Sequence, residues 1–187
     1  HYPETIAPCP PPGRRDFRVC ENLMPEDILT SFRKARPEDV PAIYALVHAA
    51  YAKWVPIIGR EPKPMSVDYE QALREHDFAL LCIAGEIAGL IETMTRDDHL
   101  WIENVAVSPA RQGMGLGRRL LAHAEETAER SGLTKISLLT NADFKTNVTL
   151  YEKIGYVTTV REPFMGGTIL YMSKTLGDGA RNAAVPG

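Results

Sequence analysis

The sequence predicts a mixed α/β domain, with a mostly antiparallel central sheet flanked by helices. Three observations lead there. The chain has 187 residues, of which 44% are hydrophobic and 24% charged, which suits one ordinary globular domain. Three consecutive strand-length apolar runs, separated by tight turn signals, fall between Phe78 and Val107. After them, stretches of helical period alternate with short strands, the order that puts helices on both faces of a sheet.

The first thirty residues carry Pro3, Pro8, Pro10, Pro11, Pro12 and Pro25 and show no period. Proline fixes φ and removes a donor, so residues 1–31 are expected to form an irregular extension. Residues 1–23 read as an upstream addition, since Met24 could itself begin a protein. Ser31 to Lys34 suits a short strand. Asp39 is placed to cap a helix carrying Ile43, Leu46, Val47 and Ala50 on one stripe. Tyr51 to Met65 contains Pro56, Gly59, Pro62 and Pro64 and is expected to be an irregular loop. Tyr69 to Glu75 follows as a short helix.

Phe78 to Ala84 is a bounded apolar run of strand length, Gly85-Glu86 a hairpin turn, and Ile87 to Thr95 the returning strand. Leu100 to Val107 forms a third strand, which Ser108-Pro109 ends. Leu116, Leu120, Leu121, Ala124 and Ala128 then share one helical face, with Gly132 as the C-terminal stop. Lys135 to Leu139 is a buried strand, Val148 to Ile154 a short helix, and Tyr156 to Val160 and Thr168 to Ser173 the last strands. The domain is bounded at residues 32–176, with 177–187 a loose tail.

Composition narrows the chemistry. Lys plus Arg number 21 against 24 Asp plus Glu, a formal net charge of −3, so there is no global attraction to nucleic acid or anionic membrane. No apolar run approaches the roughly 20 residues of a membrane span. No signal-peptide layout is visible, and a cytoplasmic protein is expected. Cys9, Cys20 and Cys82 have no regular spacing; Cys82 reads as a core residue, and pairing of Cys9 with Cys20 stays open. The five histidines show no ligand spacing, so no metal is expected.

The most informative stretch is Val105-Ala106-Val107, followed by Gln112-Gly113-Met114-Gly115-Leu116-Gly117-Arg118. Glycines at alternate positions let backbone amides turn toward an anion, and the helix behind adds its positive end. A nucleotide-triphosphate loop would need Gly-Lys-Ser/Thr, and a dinucleotide fold would space its glycines differently. A plain reading remains: a glycine turn for close packing.

Gln112 to Gly117 also matches the Gln/Arg-x-x-Gly-x-Gly/Ala motif of the GCN5-related N-acetyltransferase (GNAT) family. Leu150-Tyr151-Glu152-Lys153-Ile154-Gly155-Tyr156 resembles that family's second signature, at the expected distance. The resemblance covers roughly residues 32–176, and Val55 to Pro62 is similar to a stretch in bacterial members. It implies an acyl-CoA N-acyltransferase fold with acetyl-CoA as cosubstrate. Residues Val105, Ala106 and Val107 would pair with the pantetheine arm, and Gln112, Gly113, Met114, Gly115, Leu116, Gly117 and Arg118 would hold the pyrophosphate. Many members carry Asn where this chain has Phe144, so Asn147 takes the place of that coenzyme contact.

The resemblance further implies that Tyr151 protonates the leaving thiolate and that a glutamate serves as base. Glu103 is the candidate, acting directly or through water on a primary amine, and Glu92 is its rival. Strand alternation puts Trp101, Glu103 and Val105 on one face, barring a bulge; apolar neighbours there would raise the Glu103 pKa. The plainer reading of Glu103 is a solvated strand residue. The acceptor, a small molecule or peptide amine, would meet Tyr51, Arg60, Met65 and Glu92, with Trp54 and Ile57 nearby. Trp54 suits packing better than binding, and Arg60 could read a carboxylate or pair with a local acid. No covalent enzyme intermediate is expected, since no residue shows nucleophile–base spacing. Homodimers are common in the family and are the default here. Other acyl-CoA donors, a catalytically silent acyl-CoA sensor and a structural module are the alternatives.

Overall fold

In a computed structural model of the protein, residues 30–177 are described. Expectations for residues 1–29 and 178–187, including the pairing of Cys9 with Cys20, lie outside them. Seven strands form one sheet: β1 (Thr30–Lys34), β2 (Asp77–Ile83), β3 (Glu86–Thr95), β4 (Leu100–Val107), β5 (Lys135–Asn141), β6 (Val157–Phe164) and β7 (Gly167–Thr175). Their order is β1-β2-β3-β4-β5-β7-β6. Every neighbouring pair is antiparallel except β4 with β5, which is parallel, so the predicted mixed sheet is what forms.

Helices α1 (Val40–Tyr51), α2 (Val55–Ile58), α3 (Tyr69–Glu75), α4 (Leu116–Arg130) and α5 (Lys145–Lys153) complete the domain. The apolar stripe read for α4 is its buried face: Leu116, Leu120, Leu121, Ala124 and Ala128 pack with Leu81, Ile91, Leu100, Ile102, Ile136 and Leu138. On the other face, Ile43, Leu46, Val47 and Ala50 of α1 and Ala72 of α3 pack with Phe78, Leu80, Cys82, Leu90 and Ala106. Cys82 is therefore a core residue, as expected. Gly89 lets β3 lie close beneath α4, since a Cβ there would stand 3.0 Å from both the Ala106 carbonyl and a Leu120 methyl.

Three local expectations need correcting. Residues 52–58 and 63–66 are short helical turns, including α2, and only 59–62 between them are irregular; Pro56 is compatible because it sits in the first turn of α2, where no amide hydrogen bond is lost. Asp39 precedes α1, but its side chain makes no helix cap. It is occupied by Arg33, whose Nη1 and Nη2 donate to its two oxygens at 2.7 and 2.8 Å, and by the Arg36 amide at 2.8 Å. The third concerns β4. Glu92 pairs with Asn104 and Thr93 with Ile102, which leaves Glu103 as the extra residue of a β-bulge. The bulge reverses the facing of the strand: Leu100 and Ile102 join the α4 core before it, Val105 packs against that core after it, and Ala106 joins the α1 core. Trp101, Glu103 and Val105 therefore do not share a face.

Among the described residues no helix is long and apolar enough to cross a membrane.

The Arg33–Asp39 contact ties β1 to the start of α1. Its hydrogen bonds hold the Asp39 carboxyl below its ordinary pKa of 3.8, against the upward push of burial. A carboxylate depressed on folding stabilises above its unfolded pKa and loses that contribution as pH falls through the folded value. Asp39→Ala should cost about 1.5–3 kcal/mol near neutral pH, the range for charge-assisted hydrogen bonds. Urea melts at pH 7 and in acid test this: the gap between wild type and variant should narrow in acid, and a pH-independent gap would contradict the assignment.

Candidate active site

β4 and β5 are paired only from Leu100 to Ile102 and from Ile136 to Leu138. Beyond that point they part, where the bulge at Glu103 turns β4. Two cavities of about 350 Å³ each open along the gap. Tyr51, Val105, Asn147 and Tyr151 line both, so the cavities meet at those four residues.

The first cavity is the glycine-loop side, lined by Val105, Ala106, Val107, Gln112, Gly113, Gly115, Leu116, Gly117 and Arg118. Gly113 and Gly115 have φ of +84° and +75°, a conformation costly to residues with a Cβ. They turn the chain into α4 so that its first amides open onto the cavity. Gly117 has a different reason: a Cβ there would lie 3.2 Å from a Leu150 methyl, so it sets how closely α4 meets α5. Lys53 donates to Gln112 Oε1 at 3.2 Å, and Gln112 Nε2 donates to the Val107 carbonyl at 3.4 Å, bracing the loop. Free helix-start amides beside Arg118 and Lys53 suit a pyrophosphate. Met114 is exposed and does not line the cavity.

The second cavity lies deeper in the gap and carries both glutamates. Glu92, on β3, is 2% exposed. Its Oε1 lies 2.5 Å from His76 Nδ1, at the end of α3. Burial pushes the Glu92 carboxyl above its usual range, opposed by His76. Glu103 is set differently: burial pushes its carboxyl up, but hydrogen bonds from Lys63 Nζ at 2.6 Å and Trp101 Nε1 at 2.9 Å outweigh it and leave the pKa lowered. The expectation of a raised Glu103 pKa fails for that reason. Lys63 comes from forty residues upstream, and no local pattern marked it as a partner.

Tyr51 and Arg60 line the second cavity. Met65 does not; it is packed away at 8% exposure, while Ile57 points outward and Ile58 takes the wall. Trp54 stacks on Phe144 with ring centroids 4.5 Å apart and also lines the first cavity; Phe144 thereby holds the turn before α2 against the start of α5 and walls the second cavity. Tyr51 Oη donates to Asn104 Oδ1 at 2.8 Å, Asn104 Nδ2 to Tyr69 Oη at 3.3 Å, and Tyr69 Oη to the Pro64 carbonyl at 2.7 Å. Tyr151 reaches the junction from α5 with no side-chain hydrogen bond among the described residues, and burial pushes its phenol up to about 12. Among the described residues no cluster of His, Cys, Asp or Glu could hold a metal ion.

The seven-stranded sheet parted at β4 and β5, with a glycine turn at the mouth of the gap, is the acyl-CoA N-acyltransferase fold. A family model described as "Acetyltransferase (GNAT) family" matches residues 41–156, and the chain belongs to that family. The chain is 33% identical over 72 residues to the [Ribosomal protein bS18]-alanine N-acetyltransferase of Escherichia coli (strain K12). That match covers 38% of this chain and spans about half (49%) of the relative's length. The solved Escherichia coli ribosomal-protein-S18-alanine N-acetyltransferase superposes with a TM-score of 0.67 at 21% identity, covering 84% of this chain and all of that one. A GNAT family acetyltransferase from Elizabethkingia anophelis, solved with acetyl-CoA bound, superposes at 0.62 with 19% identity, covering 79% and 98%.

The two glutamates should titrate on opposite sides of the ordinary carboxylate value of 4.5. Side-chain ¹³C NMR of the apoprotein, assigned with Glu92→Gln and Glu103→Gln, should place the Glu92 midpoint above it and the Glu103 midpoint below. The reverse order would contradict the environments described.

Proposed function

We propose that the protein transfers the acetyl group of acetyl-CoA to a primary amine by direct attack, with no covalent enzyme intermediate. The observation that carries this reading is the meeting of the two cavities at Tyr51, Val105, Asn147 and Tyr151. A coenzyme held by the glycine loop on one side would present its thioester there, and an amine on the other side would reach it. Acetyl-CoA supplies an activated acyl group on a thiol leaving group. The family, and the neighbour solved with acetyl-CoA, support that choice of cosubstrate.

In this reading the amides at the start of α4 hold the pyrophosphate, and the exposed edge of β4 from Val105 to Val107 lies along the pantetheine arm. Holding both partners at the junction converts a bimolecular encounter into a local one, worth several kcal/mol. An alkylamine with a pKa of about 10.4 costs roughly 4.6 kcal/mol to free at pH 7, so a base matters. Of the two glutamates weighed from the sequence, Glu92 has the pKa direction a base needs, and Lys63 leaves Glu103 the weaker acceptor. Glu103, held by Lys63 and Trp101, borders the path of the incoming amine. Tyr151 points a protonated phenol at the junction. An ordinary thiol, with a pKa of about 8.5, is the stronger acid, so Tyr151 acts first as a hydrogen-bond donor to the departing sulfur. Desolvation of the departing thiolate raises its own basicity until it can take the phenol's proton, which Tyr151 regains from solvent as CoA leaves.

A thermal-shift titration tests the first half. Acetyl-CoA at a hundredfold over Kd should add about 2.7 kcal/mol of stability, and ATP none. Thiol release with a panel of amines tests the second. Glu92→Gln should lower kcat by about 10²–10⁴-fold with acetyl-CoA affinity kept, and Glu103→Gln by less. Tyr151→Phe should lower kcat in the same way. A larger loss from Glu103→Gln would return the base role to Glu103. Stabilisation by acetyl-CoA without transfer to any amine would favour a silent acyl-CoA sensor.

A further inference from the structure

Among the described residues, Arg60 stands in the acceptor cavity without an acidic partner. Its buried Nε meets no hydrogen-bond partner among them, and its Nη1 donates to the neighbouring Glu61 carbonyl at 3.4 Å. The two carboxylates that share the cavity are already engaged, Glu92 by His76 and Glu103 by Lys63 and Trp101. The guanidinium is nonetheless held in place, with its carbon 5.3 Å from the Phe164 ring centroid. Phe164 ends β6 and is 44% exposed, so this cation marks the rim, while Glu92 lies at the floor. Between them the wall is apolar and aromatic: Ile58, Trp101, Ile169 and Tyr171.

We propose that Arg60 is the anchor for a carboxylate on the acceptor, so that the substrate is a small amine that also carries a carboxylate. The inference rests on the transfer reading above and names its substrate class. A planar guanidinium fixed over a ring presents paired N–H donors in the geometry a carboxylate accepts bidentately. A buried donor without a partner costs free energy until a ligand supplies one, which makes it a selective contact and not a general one. The charge layout is complementary at both ends: Glu92 at the floor faces the amine, and Arg60, the cation of the lining that is not spent on a cavity carboxylate as Lys63 is on Glu103, takes the carboxylate at the rim. The Arg60–Phe164 contact also bridges the α2–α3 connection to the β6–β7 hairpin across the cavity, which favours a compact acceptor beneath it over the side chain of a folded protein. The transfer balances simply: the amine nitrogen forms the amide bond to the acetyl carbon, the carbon–sulfur bond breaks, the amine gives up one proton and the thiolate gains one.

The probes are the proteinogenic L-amino acids and a ladder of ω-amino acids (glycine, β-alanine, 4-aminobutyrate, 6-aminohexanoate), each beside its carboxamide. Thiol release should favour the best carboxylate over its own amide by about tenfold or more in kcat/KM. The ladder reads the spacing from floor to rim. Arg60→Ala should collapse that ratio to near one, and Arg60→Lys should restore part of it. An unchanged melting temperature shift with acetyl-CoA shows that each variant is folded. Calorimetric titration of the same pairs into CoA-saturated protein reads the preference without turnover. Equal use and equal binding of acid and amide, or a preference that survives Arg60→Ala, overturns the proposal. Phosphoethanolamine outperforming every carboxylate also overturns it, by assigning the cation to a phosphate. If no amine is acetylated yet carboxylates still bind through Arg60, the transfer reading fails and the anchor stands.

Discussion

The parting of β4 from β5 is the constraint on which the site depends. Two parallel strands that start paired at Leu100 and Ile136 lose each other after Ile102 and Leu138. Left alone, an open seam inside a sheet would strand backbone donors and acceptors. Here the seam coincides with the bulge at Glu103, which re-aims the strand, and the space it creates becomes the two cavities. Everything assigned to function lines that seam or closes one of its ends.

What keeps the seam open without collapse is a run of buried polar contacts. Asn104, the first residue after the bulge, is 3% exposed and links Tyr51 of α1 to Tyr69 of α3 through its amide. Tyr69 continues to the Pro64 carbonyl, so the connection that carries Arg60 and Lys63 is fastened to the same strand. Fully satisfied networks of this kind rigidify a site, whereas a broken one leaves unpaired groups that cost more than the bond was worth. On the far side, Trp54 on Phe144 performs the same service with apolar surface.

The fold was legible because its signals are local. The period of α4, the hairpin at Gly85 and the alternating glycines each need only a few neighbouring residues to be read. The glycine-loop residues line the first cavity, apart from Met114, and Tyr151 and Asn147 lie at the junction. The bulge was not legible, because an extra residue in β4 shows only in its register against β3. The ion pairs that decide the two glutamates were equally hidden: Lys63 and His76 lie forty and sixteen residues from their partners. Met65 looked like a lining residue for want of a signal distinguishing a loop that faces the cavity from one that packs beside it.

Hydrogen–deuterium exchange with and without acetyl-CoA tests the central claim most directly, since it reads the seam amide by amide. Acetyl-CoA should protect residues 105–107 of β4 together with 113–118 at the start of α4, and leave the paired stretch 100–102 as it was. Protection confined to other segments, with these amides unchanged in protein that binds acetyl-CoA, would show that the gap between β4 and β5 is not where the coenzyme lies.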